Sequence, residues 1–212
     1  MPYKSESKPL TSIVSYPERG EGGNNRYRGN CSPRLIEDLL GFFRPGEICD
    51  YMCGSGTTKA AADKLGIGSH LYDLHSGFDI MNCEIPERPE FIFWHPPYWD
   101  IVTFSDVMYK ASDVQKNYGY DPRQYDLSRI PDWESFVEKM NYAMMKQFSA
   151  LEKGGRMAVL MGDIKKKVCF TVCFLKSSSR VPWRISSSRP SITAFQTRSS
   201  IAENSFRFCM NM

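Results

Sequence analysis

The stretch FIFWHPPYW, residues 91–99, joins an apolar run to a rigid tip carrying one imidazole and two flat aromatic rings. Phe91 to Trp94 is β-rich and too short for a helix, so it reads as a buried strand. Pro96 and Pro97 fix φ and bring no N–H, which ends the ladder. His95 and Pro96 each precede a proline and are pushed towards extended backbone. The predicted result is a stiff elbow at a strand's carboxyl end, with Tyr98 and Trp99 just beyond it. Open α/β sheets bind ligands at such ends, so the elbow suits a flat ligand. A proline-rich loop without function has the same local pattern.

The second informative stretch is EICDYMCGSGTTKAAADKL, residues 47–65. Ile48 and Cys49 start a short strand ending at Asp50. Gly54-Ser55-Gly56 makes a tight turn, and TTKAAADKL has strong helix content up to a stop at Gly66. Glycines in a strand–turn–helix unit let backbone approach a ligand closely. The GxxxxGK[ST] spacing of a phosphate-binding loop is absent. Thr58 and Lys59 stand where the full GxGxxG dinucleotide fingerprint needs small residues. The next strand, SHLYDL, ends at Asp73, about 20 residues past the turn. An ionised carboxylate only accepts hydrogen bonds and a ribose diol offers two donors, so Asp73 suits a sugar. Taken alone, it also reads as an exposed loop acid.

These residues need elements to position them. Ser32 as N-cap and Pro33 at the first helical position open a helix over PRLIEDLLGFF, with Leu35, Ile36, Leu39, Leu40, Phe42 and Phe43 on one stripe. HSGFDIMNCEIPERPE, residues 75–90, reads as a turn, a short strand and a loop. Residues 99–131 form a long segment of weak periodicity. There Lys110, Lys116, Arg123 and Arg129 alternate with Tyr109, Tyr118, Tyr120 and Tyr125. That mixture fits either an ordinary solvated loop or a surface for single-stranded or extruded nucleic acid. DWESFVEKMNYAMMKQFSALEKGG predicts a helix capped by Asp132 and ended by Gly154. Phe136, Met140, Ala143, Met144 and Phe148 form its core face. RMAVLMGD is a further buried strand ending at Asp163. Strands alternating with helices predict an α/β fold with a mostly parallel sheet.

Composition sets the bounds. The chain has 212 residues and 42% apolar content, enough for one α/β domain with a core. A net charge of +3 neither demands nor excludes a polyanionic partner. No run of 18 apolar residues predicts a membrane span. The polar start, MPYKSESKPL, lacks a signal peptide's apolar core and reads as a flexible arm over residues 1–14. The seven cysteines are odd in number and irregular in spacing. Cys49 and Cys53 are four apart, as are Cys169 and Cys173, without a CxxC pair and its histidine partner. Reduced cytosolic thiols and no metal site are expected, and a cytoplasmic location with them.

With both motifs in view, the chain resembles the DNA amino-methyltransferases that use S-adenosylmethionine. DYMCGSGTT, residues 50–58, resembles that family's DPFxGSGTT cofactor motif, and HPPYW, residues 95–99, resembles its (D/N/S/T)PPY(W/F) catalytic motif. GNCSPRLIEDLL, residues 29–40, resembles the segment before the cofactor motif in members where that motif comes first. The resemblance implies a Rossmann-like methyltransferase fold over residues 15–167, S-adenosylmethionine as cofactor and DNA with an extruded base as partner. It implies methylation of an adenine N6 or cytosine N4 amine and association with the nucleoid when bound. Asp50, Gly54, Ser55 and Gly56 would shape the methionine end of the cofactor pocket, and Thr57 and Thr58 would bind its carboxylate at the helix start. Asp73 would take the ribose and Asp79 the adenine end, with Asn30 and Ser32 touching the carboxylate.

An exocyclic amine is a poor nucleophile until its nitrogen turns pyramidal, and acceptors for its N–H groups favour that change. By the resemblance, the Pro96 carbonyl and the His95 side chain are those acceptors, Pro97 stiffens the elbow, Tyr98 stacks on the base and Trp99 lines the same pocket. Two residues depart from the pattern. Tyr51 replaces the usual proline, which a turn tolerates. His95 replaces Asp, Asn, Ser or Thr and accepts only when neutral. No cysteine sits in a PCQ-type context, which argues against carbon-5 cytosine methylation. Two other readings compete: an RNA base amino-methyltransferase, because the same elbow serves guanine N2, and a non-catalytic remnant that binds cofactor or DNA.

Residues 168–212 change character. Of the 24 acidic residues only Glu203 falls after residue 163. KSSSRVPWRISSSRPSITAFQTRSS is rich in Ser and Arg without clear periodicity. VCFTVCFL offers one strand; the rest reads as neither strand nor helix, so the sheet is expected to be incomplete. A basic phosphate-binding arm, divergent strands, and out-of-frame translation all account for this, the last most directly. Reading the coding DNA in its other frames checks it. A family-like C-terminal segment should appear in one of them, and finding none removes the frameshift explanation.

Overall fold

The computed structural model describes residues 16–161 in full. Beyond them it describes the backbone of residues 164–166, 169–171, 191–196 and 208–209. Four parallel strands form the heart of the sheet: β1 (Glu47–Asp50), β2 (Gly68–Leu71), β3 (Phe91–Trp94) and β4 (Arg156–Met161), in the order β2-β1-β3-β4. Helices α1 (Pro33–Phe43), α2 (Thr57–Leu65), α3 (Ala111–Tyr118) and α4 (Trp133–Ala150) connect or cover them. This is the expected α/β architecture.

Strand periodicity of two divides the core between the two faces of the sheet. Ile48, Phe91, Phe93, Ala158 and Leu160 pack with Leu35, Ile36, Leu39 and Leu40 of α1 and with Ala61 and Ala62 of α2. Cys49, Ile92, Trp94, Met157, Val159 and Met161 face the other way, onto Phe136, Val137, Met140, Ala143 and Met144 of α4. All four residues of β3 are buried, as expected of a parallel strand covered on both faces. Each such side chain contributes about 1.5–3 kcal/mol by leaving water.

The helix signals act as read. The Ser32 hydroxyl accepts from Arg34 N–H and donates to the Arg19 carbonyl (2.7 Å), and Pro33 holds N1. Asp132 caps α4 by accepting from Ser135 N–H (2.7 Å). Several boundaries differ. α4 ends at Ala150, and Gly154, at φ 86°, belongs to the turn into β4. β2 stops at Leu71, so Asp73 is not a strand end. It caps a 3₁₀ turn, Leu74–Ser76, because its carboxylate competes for the turn's N–H groups. No strand forms within residues 75–90. Asp79 instead closes a turn by accepting from Met81 N–H (2.9 Å) and from the Asn82 amide. Residues 99–131 are not a plain loop: they contain α3 and two 3₁₀ turns, Pro122–Gln124 and Leu127–Arg129. Asp163 lies outside the described residues.

Within residues 168–212 the described backbone has a strand in VCFTVCFL, as read, and two further strands where none was read; the rest of that stretch lies outside the described residues. β5 (Ile164–Lys166) and β6 (Cys169–Thr171) form an antiparallel pair apart from the main sheet. β7 (Ser191–Gln196) runs parallel to β4, and β8 (Phe208–Cys209) lies antiparallel to β7. Short strands flanked by Ser and Arg carry too little hydrophobic pattern to be read in advance. Among the described residues no helix is long and apolar enough to cross a membrane.

Because Ile92 is buried against α4 beneath the elbow, Ile92→Ala should cost about 2–5 kcal/mol and Ile92→Val about 1 kcal/mol in denaturant unfolding.

Candidate active-site cleft

β1 and β3 are neighbours, with Cys49 opposite Ile92, although β2 lies between them in sequence. The chain therefore leaves β1 to one side for β2 and returns to the other side for β3. That change of direction is the topological switch point where open sheets bind ligands. A cleft opens there, lined by the glycine turn on one side and by residues 95–98 on the other.

Its floor is the glycine turn. Gly54 has φ 50°, and a Cβ there would sit 3.0 Å from the Tyr27 ring, so the turn needs glycine for conformation and for space. Backbone bonds tie the turn to β2: Tyr72 N–H donates to Asp50 C=O (2.8 Å) and Cys53 N–H to Tyr72 C=O (3.0 Å). Trp94 Nε1 donates to Met52 Sδ (3.3 Å), joining the ends of β1 and β3.

The structure brings most of the candidate residues together. Asn30, Asp50, Gly54, Ser55, Thr57, Thr58, Asp73, Asp79, His95, Pro96, Pro97 and Tyr98 all line the cleft. Three do not. Gly56 is the αL N-cap of α2 behind the turn, and Ser32 is committed to capping α1. Trp99 points away: its Nε1 donates to Ile130 C=O (2.9 Å) and its ring meets Trp133 edge-on. A non-glycine φ of 55° at Trp99 causes that reversal.

Asp50 is 2% exposed and accepts from Thr58 Oγ1 (2.5 Å) and Met52 N–H (3.0 Å). Both donors are neutral. Burial therefore dominates and pushes its carboxyl up to about 7. Asp73 accepts from Gly54 N–H (2.9 Å) and from His75 Nδ1 (2.6 Å), and this bond raises the His75 pKa. His95 shares a hydrogen bond of 2.8 Å between Nε2 and the Tyr98 hydroxyl. It is part-buried in the cleft wall, and desolvation pushes its pKa down to about 4. His95 is thus neutral at pH 7, which its expected role as an acceptor requires.

Tyr109 and Tyr125 of the aromatic and basic segment line the cleft, as do Tyr27 and the buried Asp126, which sequence reading missed. Asp126 accepts from Ser105 N–H (2.8 Å) and Ser128 N–H (2.9 Å), which folds residues 99–131 over the opening. Two of that segment's basic residues are paired: Arg123 with Asp121 (2.8 Å) and Arg129 with Asp106 (3.3 Å). Residues 16–31 strap the start of α2. Thr57 Oγ1 donates to Asn30 Oδ1, and Asn24 N–H donates to Ser55 Oγ (3.2 Å). A Cβ on Gly23 would collide with Thr57 Oγ1 and stand 3.1 Å from Arg19 Nη2. That Nη2 is buried without a hydrogen-bond acceptor among the described residues.

The charge pattern is one-sided. Asp50, Asp73, Asp79 and Asp126 line the cleft, and no Lys or Arg does so among the described residues. Cys53 also lines it, but burial raises its thiol and leaves a poor nucleophile. Among the described residues no group of His, Cys, Asp and Glu is arranged to hold a metal. Compared with protein-family models, curated proteins and solved structures, the chain matches none.

Burial that raises the Asp50 pKa favours the protonated, folded protein. That stability is present below the carboxyl's unfolded value near 3.8 and is lost as pH rises through about 7. At about 1.4 kcal/mol per pH unit, the full effect is on the order of 4 kcal/mol. Asp50→Asn should therefore melt higher than the wild type at pH 8 and show a flatter dependence on pH between 5 and 8. Parallel melting profiles for the two proteins would contradict this.

Proposed function

We propose that this chain transfers a methyl group from S-adenosylmethionine to the exocyclic amine of adenine or cytosine in DNA. One observation carries the reading. The glycine turn, Asp73 and the HPPY elbow meet in a single cleft lined by four carboxylates and several aromatic rings, without a lining Lys or Arg among the described residues. Phosphate-bearing nucleotides are disfavoured by that field, whereas a cationic nucleoside is attracted to it.

The residues present fit such a cofactor. Asp50 is a buried carboxylate whose hydrogen-bond donors are neutral, so it suits an ammonium group. The start of α2, where Thr57 and Thr58 line the cleft, suits a carboxylate, and the buried Arg19 Nη2 lies beside Gly23 without itself lining the cleft. Asp73 offers an acceptor for a sugar hydroxyl. Bound there, S-adenosylmethionine would supply a methyl group on a sulfonium, an electrophile that needs only an aimed lone pair.

The chain's own task is then to orient an amine. His95 Nε2 accepts, which puts the imidazole proton on Nδ1. In the structure its partner is the Tyr98 hydroxyl, so an entering amine would replace that hydroxyl as donor. The Pro96 carbonyl is the second acceptor, held still by two consecutive proline rings. Tyr98 offers its face to a base swung out of the duplex. Fixing both acceptors before the reaction is how this site would lower the barrier.

Unmethylated DNA and RNA incubated with S-adenosylmethionine, digested and analysed as nucleosides should yield N6-methyladenine or N4-methylcytosine from DNA. His95→Ala should lower the rate by about 10²–10³-fold. Product from RNA alone would move the reading to an RNA base amino-methyltransferase, and none from either, with cofactor bound, to a non-catalytic remnant. At saturating cofactor the rate should be flat from about pH 5.5 to 8, because His95 protonates only near pH 4. An acid limb near the ordinary histidine value, lost in His95→Asn, would contradict the neutral imidazole.

A further inference from the structure

Asp73 has fewer open acceptor positions than a ribose diol requires. Its Oδ1 accepts from the His75 backbone N–H (3.1 Å) and from His75 Nδ1 (2.6 Å). Its Oδ2 accepts from the Gly54 N–H (2.9 Å). A carboxylate offers about four lone-pair sites, two on each oxygen. Both sites on Oδ1 are taken, and one remains on Oδ2, the oxygen bonded to the cleft-lining Gly54.

His75 is held in this position from several directions. Its ring packs against Tyr109, with centroids 5.5 Å apart. The Tyr120 hydroxyl donates to the Leu74 carbonyl, which pins the turn that carries His75. The Asp73 bond favours the imidazolium form and so strengthens the clamp.

We propose that His75 is a positioning residue that occupies Oδ1 of Asp73, so that the cleft reads a ligand's sugar through one hydroxyl at Oδ2 and not through both. This rests on the nucleoside-sulfonium reading of the cleft. It goes beyond that reading by assigning His75 a role and by changing what Asp73 recognises. The second hydroxyl of the sugar then adds little to affinity. Removing the first loses a hydrogen bond to a charged acceptor, worth about tenfold or more in binding.

The test is competition of adenosine, 2′-deoxyadenosine and 3′-deoxyadenosine against labelled S-adenosylmethionine on the full chain. It is run with the wild type, His75→Ala and His75→Gln. In the wild type one deoxynucleoside should compete within about twofold of adenosine, and the other about tenfold more weakly. In His75→Ala both should be weaker than adenosine, because Oδ1 becomes available to the second hydroxyl. His75→Gln, whose amide can donate to Oδ1, should restore the wild-type pattern. If both deoxynucleosides are about tenfold weaker in the wild type, His75 yields Oδ1 and the proposal fails. Equal competition by all three also overturns it, because Asp73 then reads no hydroxyl. Both of those failures leave the cofactor reading standing, since labelled S-adenosylmethionine still binds. Absence of that binding is the failure of the reading itself, and the proposal falls with it. The wild-type pattern decides the matter even if His75→Ala does not fold.

Discussion

The cleft depends on the adjacency of β1 and β3. Two four-residue strands, distant in sequence and buried on both faces, lie side by side with Cys49 opposite Ile92. The two motifs leave the sheet at the strands' carboxyl ends: Asp50 and the glycine turn from one, His95 and the two prolines from the other. Neither motif makes a site alone. The sheet sets the distance between them, and the two cores on its faces fix the sheet. The Trp94–Met52 contact and the Tyr72–Asp50 backbone bond then lock the strand ends together.

Electrostatics gives that juxtaposition a preference. Four buried carboxylates around one opening disfavour phosphate, and burial makes the charged form of Asp50 costly. A cation arriving in the cleft relieves that cost, so part of its binding energy comes from strain already present in the free protein.

What the sequence made legible was local. The proline elbow, the glycine turn, the Ser32 and Asp132 caps and the apolar stripe of α4 each follow from a few neighbouring residues. What it hid depends on contacts far along the chain. Tyr27 and Asp126 sit in polar, aperiodic stretches, and only packing brings them to the cleft. α3 escaped because an eight-residue helix that buries only Ala111 and Val114 has almost no periodic signal. Trp99 was read as a pocket wall, but a left-handed backbone turns its ring into an anchor against α4. Asp73 was read as a strand end offering a bare carboxylate. It caps a turn instead, and three of its four acceptor sites are taken before a ligand arrives.

The most direct test of this account is a thermal melt of the full chain with S-adenosylmethionine and, separately, with ATP and with NAD at the same concentration. A ligand at 100 times its dissociation constant stabilises the native state by about 2.7 kcal/mol. The melting temperature should rise clearly with S-adenosylmethionine and not with either phosphate-bearing nucleotide. A rise with ATP or NAD and none with S-adenosylmethionine would contradict it.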